Sequence, residues 1–344
     1  MDWSNGSGAN LPALRGHNDA LILGLLREAG AAGLGRTDLA ARTGLTPQAV
    51  SKITARLRTE GLVAEAGRSP STGGKPRTLL RLVPEARHAV GVHADRDELR
   101  AVRVDLTGTV VDDCRAPLDF GAGPDAVAEA VAAAVTRLRG DRTASLLGVG
   151  VAAPGPLDRR AGVLGRVTGH PEWDGFPLRQ AVADRLGPQA PPVLLDKDTN
   201  AGAAAPARGA ASGTSLYLHL GTGLGAGLRL DGEVYRGERS AAGEFGHQVL
   251  SLDGPPCRCG GDLAEAARIL GEGAANVVAL LDMDRVWLGG RVVAGAPEVF
   301  TAGVRHVLRS RTLGGPVPEV TVAETGVAEG AAELILAPLF GHPS

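Results

Sequence analysis

Residues 36–61 read RTDLAARTGLTPQAVSKITARLRTEG, two helix-forming stretches on either side of one glycine. Arg36 to Thr43 predicts a short helix with Leu39 inward, closed by Gly44, the residue that most easily takes the left-handed conformation after a helix. Thr46 is the expected N-cap of the next helix and Pro47 suits its first position. Val50, Ile53 and Leu57 then recur as one buried stripe down to Gly61. Two helices joined by so tight a turn make a helix-turn-helix. Gln48, Ser51, Lys52, Thr54 and Arg56 are expected off the apolar stripe of the second helix. Gln48 and Ser51, near its start, are the kind of side chain that reaches base edges, whereas Lys52 and Arg56 suit phosphates. Arg36 and Thr46 complete the DNA-facing set on these two helices. A merely solvated helical face is the plainer alternative, but helix spacing, turn glycine and local positive charge agree with one another.

Upstream, His17 to Ala29 carries Leu21, Ile22, Leu25 and Leu26 at helical spacing and is broken by Gly30 and Gly33, which predicts a first helix. Downstream, Leu62 and Val63 start a strand and Leu79, Leu80 and Leu82 a second, with SPSTGGKPR (Ser69 to Arg77) between them. The whole reads as a winged helix over residues 12–83. Gly73 and Gly74 allow a tight tip, and Lys75 and Arg77 place charge where a wing meets the DNA backbone or minor groove. Gly74-Lys75 is not a phosphate-binding loop: Ser69 stands where the first glycine is required, and Pro76 replaces the Ser or Thr that ligates magnesium.

The charge distribution agrees. Residues 1–83 hold 11 Lys and Arg against 6 acids, whereas the rest of the chain holds 25 against 32, so a net charge of -2 conceals a basic module on an acidic body. That pattern suits a nucleic-acid-binding module joined to a ligand or assembly domain. Hydrophobic residues at 44% and charged residues at 22% are ordinary globular usage. Aromatics at 3% leave the core to Ala, Val and Leu and argue against binding by extended base stacking. No apolar run is long enough for a membrane helix and residues 1–10 lack the features of a signal peptide, so a cytoplasmic protein is expected. Three cysteines, Cys114, Cys257 and Cys259, make a disulfide framework unexpected there.

After Pro84 the pattern becomes α/β. Strands are expected at 90–92, 99–104 and 109–111, a helix at 124–139, a buried strand at 146–152, a helix at 178–186 and a strand at 193–195. Asp196-Lys197-Asp198-Thr199-Asn200 follows; by itself it also reads as an exposed charged loop. Leu216 to Leu220 runs into GTGLGAG (Gly221 to Gly227), and Leu228 to Tyr235 continues as a hairpin around Asp231-Gly232. A strand rather than a helix follows those glycines, which argues against a dinucleotide fingerprint. A turn that admits a ligand and a purely structural turn fit the spacing equally.

The order of STGGKPR, VAAPGPLD (Val151 to Asp158), DKDTNA, GTGLGAG, DGEVYRG, AAGEFGH (Ala241 to His247), CRCG and VWLGG (Val286 to Gly290) resembles the ROK family of repressors and sugar kinases, over nearly the whole chain. The resemblance implies an actin-like ATPase fold behind the winged helix, with a first lobe at 84–205 and a second, shortened lobe at 206–344. It implies a DNA-binding transcriptional regulator, a repressor by type, responding to a sugar or sugar-derived effector and assembling as a homodimer or homotetramer on double-stranded DNA. Kinases of the family open the body with a DxGGTK-like phosphate turn, where this chain has Gly91-Val92-His93-Ala94-Asp95-Arg96-Asp97. Phosphoryl transfer rests on positioning phosphate and metal, so no enzymatic activity is expected. Asp198 matches the family's catalytic Asp, but Lys197 replaces the preceding sugar-binding Asn. A cation there is expected to pair with Asp198 and lower its basicity, and it could accommodate an anionic effector.

Glu244 and His247 match a sugar-contacting Glu and a His that both touches sugar and ligates zinc. Asp198, Lys197, Glu244 and His247 are therefore the expected effector contacts. His247, Cys257 and Cys259 are the expected zinc ligands, an incomplete set because the family's third Cys is absent and Gly260 runs straight into GDLAE. The competing readings are an active sugar kinase with a DNA-binding head, and a DNA-binding assembly protein whose effector pocket has decayed.

Overall fold

The computed structural model describes residues 11–68, 77–141, 143–205, 213–248, 250, 263–312 and 315–342. The chain falls into two compact units. One takes in residues up to His88 together with Asp105–Thr109 and Leu336–Ser344; the other takes in Ala89–Val104 and Val110–Ile335.

The first unit contains α1 (Leu11–Ala29), β1 (Leu34–Gly35), α2 (Arg36–Thr43), α3 (Pro47–Thr59), β2 (Val63–Arg68) and β3 (Thr78–Leu82), with the strands ordered β1-β3-β2 in an antiparallel sheet. Gly44 ends α2 at φ 71°, its N–H donating to the Ala40 carbonyl. Thr46 caps α3, its hydroxyl accepting from the Ala49 N–H. The stripe Val50, Ile53 and Leu57 is buried as expected. Thr54 departs from expectation: it is fully buried beside the stripe, its hydroxyl donating to the Val50 carbonyl at 2.8 Å, which is how a polar group is tolerated in a helix core. In α1 the buried face is Ile22, Leu23 and Leu26, while Leu21 turns outward. The two-residue β1 was not anticipated, being too short to show any alternation. Lys75 and the wing tip Ser69 to Pro76 lie outside the described residues.

A short 3₁₀ helix, Ala337–Phe340, also belongs to this unit. Phe340 is buried, and the Arg27 guanidinium lies 4.3 Å over its ring. Arg27 Nε donates to the Thr107 carbonyl at 3.1 Å, so two segments distant in sequence finish the packing of α1.

The second unit holds two five-stranded sheets. The first combines β4 (His88–Ala94), β5 (Glu98–Asp105), β6 (Val110–Pro117), β7 (Leu146–Ala153) and β10 (Val193–Lys197) in the order β10-β7-β4-β5-β6. Helices α4 (Pro124–Arg139) and α5 (Leu178–Leu186) cover it, and β8 (Leu157–Asp158) with β9 (Val163–Leu164) forms a small ribbon. The second sheet runs β13-β12-β11-β14-β15, from β11 (Ser215–Leu220), β12 (Leu224–Leu230), β13 (Glu233–Tyr235), β14 (Arg285–Gly289) and β15 (Glu319–Val322). Helices α7 (Leu263–Leu281) and α9 (Pro297–Arg311) pack on it, after the single turn α8 (Arg291–Gly295).

Both cores are Ala, Val and Leu as the composition required, with Trp173 stacked on Phe120 at 4.0 Å as the main aromatic contact. Between the sheets run α6 (Asp198–Ala204) and α10 (Val327–Leu336). The fit of α10 against the first sheet is close: a β-carbon on Gly91 or Gly150 would stand 2.0 or 1.9 Å from the carbonyl oxygens of Ala328 or Ala331. The mixed α/β architecture is thus the one the alternation of elements implied.

Candidate functional site

The carboxyl ends of β4, β7, β10 and β11 meet at one pocket, the place where open α/β sheets present ligands to side chains and backbone. Its polar lining includes Asp95, Lys197, Asp198, His219, Glu244 and His247. All four expected effector residues, Lys197, Asp198, Glu244 and His247, line it, and the charged stretch at 196–200 is no exposed loop: Asp196, Lys197, Thr199 and Asn200 are buried.

Lys197 behaves differently from expectation. Its ammonium donates to Glu244 Oε1 at 2.6 Å, with the Gly243 and Ala242 carbonyls at 3.4 and 3.5 Å, and makes no ion pair with Asp198. The side chain starts at the end of β10 and points across to the 243–244 backbone, whereas Asp198 opens α6. Gly243 makes that crossing possible: it sits at φ 83° and a β-carbon there would meet the Ala226 carbonyl oxygen at 1.9 Å. Asp198 is not made less basic either. Burial pushes its carboxyl above the usual range, and His219, the Thr199 N–H and Lys197 offset this only in part.

Sequence reasoning missed Asp196 as a structural centre. Its Oδ1 accepts from the Lys197 N–H and from Asn200 Nδ2, and its Oδ2 faces Arg236 at 2.8 Å and Arg159 at 3.4 Å. A fully buried carboxylate needs such partners. Its only trace in the sequence is a charge ending an apolar strand. The glycines after β11 divide between two tasks. Gly221 to Gly223 make the turn beside the pocket, whereas a β-carbon on Gly227 would meet the Thr199 carbonyl at 2.1 Å, so that glycine serves helix packing. The expected hairpin at Asp231-Gly232 is present, both residues at positive φ.

His247 ends a 3₁₀ turn, Phe245–His247, with its side chain largely exposed and Nε2 4.0 Å from Glu244 Oε2. Cys257 and Cys259, its expected zinc partners, lie outside the described residues. One imidazole and two thiols fall short of the four ligands that close a structural zinc site. Among the described residues a different group of ligand-type side chains does come together: His93, Asp95 and His219. Burial, with His219 adding to it, holds the His93 imidazole down at about 4, so the ring is neutral at physiological pH.

In the first unit, Gln48, Ser51 and Lys52 are exposed on α3, beside its capping Thr46. The other expected DNA contacts have intramolecular partners. Arg36 Nε reaches Thr54 Oγ1 at 3.5 Å, Arg77 lies 3.8 Å from Asp38, and Arg56 pairs with Asp19 of α1. Arg56 projects back toward the helical core because it follows the Ile53 and Leu57 side of the helix.

Two open sheets with helices between them and a polar pocket at their strand ends define an α/β protein of the actin-like ATPase type, here carrying an N-terminal helical unit. Residues 89–263, about half of the chain, match the ROK family, and the chain belongs to that family. It is 28% identical over 233 residues to the xylose repressor of Bacillus spizizenii, covering 66% of this chain and 59% of that repressor's length. The structure is similar to that of a ROK family transcriptional regulator homologous to the Escherichia coli MLC protein, with a TM-score of 0.75 at 19% identity, covering 95% of this chain and 97% of that one. It is also similar to a ROK hexokinase from Thermus thermophilus, with a TM-score of 0.59 at 29% identity over 72% of this chain and 97% of the hexokinase. No helix among the described residues is long and apolar enough to cross a membrane.

Proposed function

We propose that the protein is a DNA-binding transcriptional repressor whose second unit takes a sugar or sugar-derived effector. The observation that carries this reading is α3: an N-capped helix with Gln48, Ser51 and Lys52 exposed together beside its start, placed after a tight glycine turn. A homodimer or homotetramer would set two such helices on successive half-sites of duplex DNA. The match to a xylose repressor supports the same reading, as do the basic N-terminal residues. The expected lobes, 84–205 and 206–344, would close on the effector through the parts of them that belong to the second unit, residues 84–88, 105–109 and 336–344 belonging to the first.

Lys52→Ala is expected to weaken binding across DNA sequences and to lower the salt slope by about one unit, the signature of one lost phosphate contact. Gln48→Ala should relax sequence preference at one base pair, by about 1–3 kcal/mol of discrimination. Fluorescence anisotropy over a salt series, with specific and scrambled duplexes, reads both. Binding and salt dependence unchanged in both variants would remove α3 as the recognition helix. Arg56→Ala should act on the packing of α1 against α3 more than on phosphate, since Asp19 already holds it.

The pocket chemistry favours sensing over phosphoryl transfer. β4 runs into His93-Ala94-Asp95 with no glycine turn to cradle phosphate, and Glu244, which would accept sugar hydroxyls, is engaged by Lys197. An effector carrying a carboxylate or phosphate would compete with Glu244 for Lys197, whereas a neutral sugar would have to displace the ammonium. Hexose-dependent ATP turnover by the purified chain should not exceed that of an Asp198→Asn control. Turnover that vanishes in the control would favour the kinase reading. No step of this function runs through a metal at His247, Cys257 and Cys259, whose donors do not close a structural site.

A further inference from the structure

Where β4 and β11 end, three side chains converge that are not among the expected effector contacts. His93, Asp95 and His219 each offer one ligand atom, and the three atoms lie within 4.8 Å of one another. Asp95 Oδ1 is already committed, accepting the Arg96 N–H at 2.7 Å and the Thr222 hydroxyl at 2.5 Å, which fixes the carboxylate and leaves Oδ2. His219 Nδ1 faces the buried Tyr217 hydroxyl at 3.1 Å, which fixes the ring and leaves Nε2. Those two remaining atoms flank Gly221: a β-carbon there would stand 2.8 Å from His219 Nε2 and 3.2 Å from Asp95 Oδ2. Only glycine keeps the space beside them clear. His93 adds a ring whose Nε2 is buried without a hydrogen-bond partner among the described residues. A buried imidazole nitrogen left so is costly unless something else engages the ring.

We propose that His93, Asp95 and His219 hold a divalent transition-metal ion, zinc by ligand type, with an open coordination position toward the pocket that Asp95 and His219 line. Two imidazoles and one carboxylate are a common three-ligand set for zinc, and three protein ligands characterise open rather than structural sites. The hydroxyl of Tyr217 orients His219 as the outer partner of a metal-bound histidine does. Ligand atoms around tetrahedral zinc stand about 3.4 Å apart, so the three groups would draw in by roughly an ångström on binding. The site is separate in sequence from the His247, Cys257 and Cys259 donors and does not depend on which effector the pocket takes.

The test uses the full chain with Cys257 and Cys259 both changed to Ser, stripped with chelator and titrated with Co²⁺ and then Zn²⁺ alone. One equivalent of Co²⁺ should bind and give visible d–d absorption without thiolate charge-transfer bands, and Zn²⁺ should displace it. His219→Ala should abolish the bands, and Asp95→Asn, close in shape and hence less disturbing to the fold, should weaken binding at least tenfold. Circular dichroism of each metal-free variant checks folding. No binding by the Cys-free chain, or Co²⁺ binding that is equally tight in a folded Asp95→Asn variant, would overturn the assignment.

Discussion

Phe340→Ala should destabilise the N-terminal unit by about 3–5 kcal/mol, the range for truncating a buried aromatic ring. Phe340 is 6% exposed and lies against α1, with the Arg27 guanidinium 4.3 Å over its ring. The substitution therefore removes buried apolar surface and a cation–π contact together. Because the molecule has two units, one melting curve need not describe it, and the sharper measurement is amide hydrogen exchange. Protection along α1 should fall while protection in β7 and β10 stays, and DNA affinity should fall with the loss of α1 order. Unchanged protection of α1 would show that the Ala337–Phe340 segment contributes nothing to the unit it packs in.

Glu329→Ala should cost a similar amount, about 3–5 kcal/mol, because it strips a mostly buried guanidinium of its partner. Arg100 Nη1 and Nη2 donate to the two carboxylate oxygens of Glu329 at 2.7 and 2.5 Å, and Oε2 also accepts the Gly326 N–H at the start of α10. The carboxylate thus fastens β5 to α10 and caps the helix in one contact. Burial alone would raise its pKa; the Arg100 hydrogen bonds and charge outweigh burial and leave it lowered. A carboxylate lowered on folding stabilises fully above its unfolded value, about 4.3, and that contribution is lost as pH falls through the folded value. The stability difference between the parent and Glu329→Gln in urea should accordingly be largest near neutral pH and shrink in acid. A difference that stays flat from pH 7 to acid would contradict the ion pair as its source.

Much of this molecule could be read before it was seen, where local chemistry alone sets the outcome. Gly44, Thr46 and Pro47 define the turn between α2 and α3 through backbone conformation and capping, and α4 begins at Pro124 and ends at Arg139 as its sequence indicates. Side-chain partners were harder, because they depend on what arrives from elsewhere in the chain. Lys197 sits next to Asp198 in sequence, yet the strand-to-helix turn aims the two side chains differently, and Glu244, 47 residues on, receives the ammonium. Arg56 follows the same logic with Asp19, 37 residues away. The grouping of His93, Asp95 and His219 had no signal at all: His93 lies near the end of β4 with Asp95 just beyond it, and His219 on β11 joins them only through the tertiary fold.

The return of Ala337–Phe340 to α1 has a consequence for the order in which the protein is made. Helix α1 leaves the ribosome early, but the ring that covers it is translated 313 residues after Arg27, counting from 27 to 340. At roughly 5–20 residues per second that is a wait of about 16–60 s. Until that segment is made the first unit lacks one wall of its packing, and it gains that wall only when the second unit's strands and helices have all been delivered.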